Sequence, residues 1–390
     1  MRVAFVVQRY GLEVNGGAEL HCRQVVERLA PQFEIEVLTT CAQDYVTWEN
    51  VYPSGLDRVN GIPVHRFAAT RTRELKFGDR SAWIYTHPHT LQDEMAWLEA
   101  QGPVVPDLLR YLVDQHDAYD AFVFFTYIYY PTVLGLRLVS DRALLVPTAH
   151  EEPPIHLDIY NALFHTPQGI LYNTVEEREL LEELFGIDYI PNAVVGIGVD
   201  TPQQLDGAAF RQRYGLGDVP YVVYVGRVSP SKNCNMLIEY FVRYKEAHPG
   251  PLTLVLVGYQ EIPIPDRPDI LALGFVPDKD RFEAMAESEL LLLPSKFESL
   301  SMVFLESLRL GVPVLCDSTS AVLRGHCVRS NAALYYATYP EFEASLALLL
   351  RDQRLRKKLG QNGKRYVSDH YTWDRVLQQY HQLLHQVTST

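Results

Sequence analysis

Short apolar runs alternate along the chain with segments of helical periodicity. Strand-like runs occupy residues 3–7, 35–39, 121–125, 143–147 and 169–173, then 221–225, 252–257, 289–293 and 312–316. Several are unbroken stretches of Val, Ile, Leu and Phe, with no apolar–polar alternation. That pattern predicts strands covered on both faces, as in a parallel sheet with helices on either side. Helical patterns fall between them over 17–30, 174–185, 234–247 and 301–310. The expected class is α/β, with doubly wound parallel sheets.

The alternation appears twice. Between the two copies, residues 191–206 lack periodicity and carry two prolines and two glycines, which reads as a linker. Residues 203–214 read as a short first helix of the second copy, and 341–387 as helical with brief breaks. Trp373 opens a last amphipathic stretch, expected to pack back on the first domain. The predicted domains are residues 1–192 and 193–370, with a returning helix over 371–390. Ligands of such sheets bind at the carboxyl ends of the strands, so a cleft between the two domains is the expected site.

Composition narrows the function. The 390-residue chain has a net charge of −13, and residues 1–195 hold 14 Lys and Arg against 27 Asp and Glu. Residues 196–390 balance at 21 against 21. A nucleic-acid binder needs a basic face, so no nucleic-acid partner is expected. The neutral second half is the better host for an anion. The five cysteines are scattered with no C-x-x-C pair, which reads as reduced buried thiols in a cytosolic protein. Residues 1–7 are too short and strand-like for a signal peptide. The apolar stretch 121–136 contains Pro131 and falls short of the roughly 18 residues a membrane span requires. Cytoplasmic localisation is expected, at the inner face of the plasma membrane if the acceptor is a lipid.

Four segments carry chemistry. Gly16-Gly17 follows the first strand and opens a helix, where free amides meet anions, although a plain strand-to-helix turn reads the same way. Arg227 and Lys232 follow the strand 221–225, and can offer a forked donor and a point charge to phosphate. Glu298 and Glu306 stand eight positions apart, one in the turn after the strand 289–293 and one inside the next helix. Glu306 lies among apolar neighbours and needs partners, which sugar and ribose hydroxyls or a neighbouring cation could supply. The free amides of Ser301, Met302 and Val303 suit phosphate at the same helix start. His150, after the strand 143–147, can place a hydroxyl or pass a proton, or be a surface histidine.

Three further features stay open at this level. Tyr127 and Tyr129, at a strand end, can stack on an acceptor sugar or fill the core. Arg66, Arg71, Arg73, Lys76 and Arg80 form a basic run. It suits an anionic acceptor such as a lipid diphosphate, a peripheral membrane contact, or merely a mobile charged loop. His87 and His89 invite a metal, but no partners stand at ligand spacing, so no metal is expected.

Together these residues resemble the retaining glycosyltransferases of family 4, with the GT-B architecture of two Rossmann-like domains facing a central cleft. The resemblance covers nearly the whole chain, and its flavour is that of bacterial surface or envelope polysaccharide enzymes. It implies a hexose transferred from a nucleoside-diphosphate sugar, UDP- or GDP-linked, to a carbohydrate or lipid-linked saccharide. No cofactor is implied. Gly16 and Gly17 then match the family's glycine pair near the donor phosphates, and His150 its donor-sugar histidine. Arg227 and Lys232 match the basic pair on the diphosphate, and Glu298 and Glu306 the E-x7-E signature. Ser301, Met302 and Val303 fall where amides meet the donor, and Phe275-Val276 where the nucleobase is lined. The chain departs from the family in having Ser299 and Ser301 where glycines are usual, and Asp317-Ser318-Thr319-Ser320 where a glycine pair often follows the strand. A nucleotide-sugar epimerase or sugar phosphorylase of the same fold, and a non-catalytic nucleotide-sugar binder, are the alternative readings.

Overall fold

The computed structural model describes residues 1–14 and 16–388. They form two compact units, one of Met1–Ile197 with Asp374–Thr390 and one of Gly198–Trp373.

The first unit is built on an eight-stranded sheet. In chain order its strands are β1 (Arg2–Val6), β2 (Glu34–Thr40), β3 (Gly55–Val59), β4 (Ile62–Phe67), β5 (Ala121–Phe125), β6 (Ala143–Val146), β7 (Gly169–Tyr172) and β8 (Asn192–Val194). The spatial order is β3-β4-β2-β1-β5-β6-β7-β8. All pairings are parallel except the edge hairpin β3–β4. Every residue of β5, Ala-Phe-Val-Phe-Phe, is buried, because helices cover both faces of the sheet. The edge strand β3 is polar and mostly exposed. Its hairpin turns on Asn60 and Gly61, with φ of 48° and 82°, the left-handed pair that a two-residue turn needs.

The second unit holds β9 (Tyr221–Val225), β10 (Thr253–Val257), β11 (Ile270–Gly274), β12 (Leu291–Leu293), β13 (Val314–Asp317) and β14 (Ala333–Tyr336). Their order is β11-β10-β9-β12-β13-β14, and all pairings are parallel. The winding reverses direction between β9 and β12. Such a switch point parts the connecting loops and opens a crevice at the strands' carboxyl ends.

The structure revises the expected linker. Residues 192–194 pair with β7 as β8, so the first unit runs on to Ile197. The first helix of the second unit is Gly207–Arg213. The last helix, Trp373–Thr388, turns Val376, Tyr380, Leu383, Leu384 and Val387 inward, a helical stripe. Gln379 Nε2 donates to the Val194 carbonyl at 3.1 Å, which ties this helix to β8. Trp373 itself belongs to the second unit and lies where a side chain on Gly198 would have to be.

Candidate donor site

The crevice of the second unit is lined by the turns after β9 and β12. Gly226 ends β9 with φ of 145°, and Gly258 ends β10 with φ of 135°. A Cβ on Gly258 would overlap the Gly226 carbonyl, so the two turns meet backbone to backbone. Past Gly226, Arg227 is half-buried with Nη1 3.6 Å from Glu261. Ser229 then caps a single turn over Pro230–Lys232, its hydroxyl accepting from the Lys232 amide at 3.3 Å. Asn233 has φ of 59° and donates from Nδ2 to the Pro294 carbonyl at 3.1 Å, which locks the β9 turn to the end of β12.

That lock brings Lys232 to Glu298. Lys232 Nζ lies 2.8 Å from Glu298 Oε1, with side-chain exposures of 30% and 14%. Three residues on, Ser301 takes φ of 62° and starts the helix Met302–Leu310. The first amides of a helix have no partner inside it and carry its positive dipole end. Cation, carboxylate and the helix start at Met302 therefore lie together at one switch point.

Of the two kinds of partner the sequence left open for Glu306, the structure shows the cation. Its carboxylate is already gripped by Arg281, on the helix Asp278–Ala286: Nη2 donates to Oε1 at 3.1 Å and Nη1 donates to Oε2. A cation, rather than hydroxyls alone, answers the buried charge. Burial opposes the Arg281 charge, but Glu306 and Asp278 outweigh it and raise the guanidinium above its ordinary value. Nothing in the segment Asp278–Ala286 marks Arg281 out, because its partner lies 25 positions away.

A second residue missed by sequence reasoning is His326. It is fully buried, with Nε2 3.0 Å from the Leu300 carbonyl and Nδ1 3.1 Å from the Tyr366 hydroxyl. The acceptor carbonyl places the ring proton on Nε2, and Phe304 stacks on the ring at 5.2 Å. Tyr366 meets the Tyr371 hydroxyl at 3.2 Å, and the Tyr371 carbonyl accepts from the Val199 amide at 3.0 Å. His326 thus pins the loop between Glu298 and Ser301. On the far side of the crevice, Phe275 follows β11 and is 69% exposed, while Val276 is buried.

The remaining sequence candidates lie in the first unit. Gly16 precedes the helix Gly17–Leu29, and a Cβ there would overlap the Glu19 carboxylate and come 2.8 Å from Arg9 Nη2. Glu19 and Arg9 form a buried pair at 2.6 Å, which Gln8 joins at 2.8 Å. Gly17 faces open space. His150 Nε2 lies 3.4 Å from Glu152. Tyr127 is a core residue, not an acceptor platform: it is buried and donates to Glu152 Oε1 at 2.8 Å. Tyr129 is half-buried and packs edge-on against Trp48 at 5.2 Å. Thr126 and Thr148, after β5 and β6, hold φ of 67° and 53°, strain that β-branched residues rarely bear.

The basic run is split: Arg71, Arg73 and Lys76 lie in the irregular connection between β4 and the helix Phe77–Ile84, and the other two lie in those elements. Arg66 lies in β4, buried, donating to Asp57 at 2.9 Å and to the Tyr10 carbonyl at 2.7 Å. Arg80 lies in the helix Phe77–Ile84. His89 pairs with Glu94 at 2.9 Å. Among the described residues, no group of three or more His, Cys, Asp or Glu is placed to hold a metal ion, and no helix is long and apolar enough to cross a membrane.

Comparison with known proteins bears on the fold. Residues 207–366 match the family Glycosyl transferases group 1, a segment within the second unit. An uncharacterized glycosyltransferase of Methanocaldococcus jannaschii is 22% identical over 406 residues, covering 96% of each chain. Sucrose-phosphate synthase from Thermosynechococcus elongatus superposes with a TM-score of 0.72 at 16% identity, over 100% of this chain and 99% of that one. Anabaena HepE, solved in complex with UDP-glucose, gives a TM-score of 0.71 at 16% identity over 100% of both chains. The chain has the GT-B fold and is a glycosyltransferase.

Proposed function

We propose that this glycosyltransferase moves a hexose from a UDP- or GDP-linked sugar to a saccharide or lipid-linked saccharide, with retention at the anomeric carbon, in the assembly of a bacterial surface polysaccharide. The observation that carries the reading is the 2.8 Å contact between Lys232 and Glu298 at the switch point of the second sheet. A nucleoside-diphosphate sugar has a diphosphate for the cation and hydroxyls for the carboxylate, one bond network apart.

Each residue then has a task. Arg227 and Lys232 neutralise the diphosphate as its charge grows on leaving, which stabilises the transition state more than the bound substrate. The amides of Met302 and Val303 hold phosphate oxygens at the helix start. Glu298 accepts from the transferred sugar, and Glu306, oriented by Arg281, accepts from the ribose. The leaving phosphate takes the acceptor's proton, so neither a protein nucleophile nor a metal ion is required in this reading.

The test is a melting-temperature panel of UDP-, GDP- and ADP-sugars, because a ligand that binds only the native state raises its melting point. A UDP- or GDP-sugar should stabilise, and nucleoside diphosphate should appear only with an acceptor. NMR of the product should show the donor's anomeric configuration. Stabilisation by no nucleotide-sugar would overturn the reading, and nucleotide binding without turnover across acceptors would favour a binding protein.

A further inference from the structure

Arg73 carries a part-buried charge that no carboxylate pairs directly among the described residues. It lies between β4 and the helix Phe77–Ile84, half-buried. Its guanidinium carbon is 5.3 Å from the Trp48 ring centre, 5.0 Å from Phe77 and 6.0 Å from Tyr45. Nε donates to the Gln101 carbonyl at 3.2 Å. Arg66, Arg71 and Arg80 each have a carboxylate partner, in Asp57, Glu99 and Glu74. Arg73 forms no such pair among the described residues. Asp44 acts on it only through space, because its carboxylate accepts from the Val46 and Thr47 amides and the Thr47 hydroxyl, each at 2.7 Å.

A desolvated charge without a directly paired carboxylate is costly, and a bound anion would relieve the cost. Burial pulls the Arg73 guanidinium below its ordinary value, as does the nearby Arg9, whose own guanidinium lies 5.4 Å from the same Tyr45 ring. Arginine stays protonated regardless. Arg73 lines a shallow cavity of about 440 Å³ together with Arg71, Thr72, Arg80 and the two acids Glu74 and Glu99. The pairs of Arg71 and Arg80 are exposed at 2.8 and 3.0 Å. Such pairs contribute little, so both arginines can turn toward a ligand.

We propose that Arg73, flanked by Arg71 and Arg80, forms a phosphate subsite in the first unit that holds the charged group of an anionic acceptor. Its planar fork matches two phosphate oxygens at once, and the rings of Trp48 and Phe77 keep it flat and dry. Only the word acceptor rests on the proposed transfer reaction. The anion site stands on its own geometry.

The experiment uses inorganic phosphate as probe, titrated calorimetrically into the Arg227→Ala/Lys232→Ala double variant, which lacks the donor-side cations. One saturable site is expected there, and adding Arg73→Met should weaken it about tenfold, the worth of a charged hydrogen-bonded contact. Arg73→Lys keeps charge and stem without the fork and should fall between, which preserves the test if Arg73→Met does not fold. Unchanged affinity in both Arg73 variants, or no saturable phosphate at all, overturns the proposal. Nucleotide-sugar binding to Arg73→Met should match the parent, so failure of the donor reading registers separately. Two arms identify the source. Arg73-dependent pelleting with vesicles of equal parts phosphatidylcholine and phosphatidic acid assigns the phosphate to a lipid. Displacement of inorganic phosphate by glucose 6-phosphate, without pelleting, assigns it to a soluble acceptor.

Discussion

Arg281 holds Glu306 with both terminal nitrogens of its guanidinium, and neither side chain is more than 18% exposed. The pair fixes a carboxylate in one orientation near the helix start that also carries Met302 and Val303.

Removing Arg281 should therefore cost both stability and donor affinity. Arg281→Met strands a buried carboxylate, a change worth about 3 kcal/mol. Adding Glu306→Gln should recover most of that stability without restoring donor affinity. Urea denaturation of the three proteins measures the first effect, and the KM for the donor the second.

Lys232→Ala should lower turnover about 10²–10³-fold, the usual loss for one electrostatic donor in the transition state. Folding should persist, because Lys232 is 30% exposed and lies on a turn capped by Ser229. Steady-state kinetics with a matched melting curve decides it, and near-parental turnover would strip Lys232 of its role.

Two buried groups of the first unit tilt stability with pH in opposite senses. Burial raises Glu177 from 4.5 to about 8, against the Asn173 and Ala149 amides that favour its charged form. The folded state thus holds a proton that the unfolded state releases, and stability falls as pH rises from about 4.5 to 8. Burial lowers His21 from 6.5 to about 4, so the unfolded state holds the extra proton and stability falls as pH drops through that window. The slopes oppose each other below pH 6.5 and leave Glu177 alone above it. Glu177→Gln should flatten the alkaline slope, up to ~1.4 kcal/mol per pH unit. Denaturation curves across pH read both.

The glycine pair separates space from function. Gly16→Ala should destabilise by about 1–3 kcal/mol, because the new methyl displaces Glu19 from Arg9. Gly17→Ala meets nothing within 4 Å, so stability should hold within about 0.5 kcal/mol. Any change in ligand affinity in Gly17→Ala then reports contact at that amide rather than a change in folding.

What the sequence reveals follows from which interactions are local. Continuous apolar runs betray β5 and β9 because a strand covered on both faces has no polar side to show. The edge hairpin of β3 and β4 is harder to see, since Leu56, Asp57 and Arg58 look like loop, although Asn60-Gly61 is a turn signal that marks it. Lys232 and Glu298 are legible because each follows its own strand. Arg281 and His326 are not, because their partners, Glu306 and Leu300, lie 25 and 26 positions away. Tyr127 misleads for the same reason, its burial being decided by Tyr160 and Phe164 packed on it.

The contact between Gly226 and Gly258 sets a limit on redesign. With no room for even a methyl at position 258, the floor of the proposed donor crevice cannot be varied one side chain at a time. A library aimed at a new nucleobase should leave both glycines untouched and randomise Phe275, whose exposed ring can change without disturbing the scaffold.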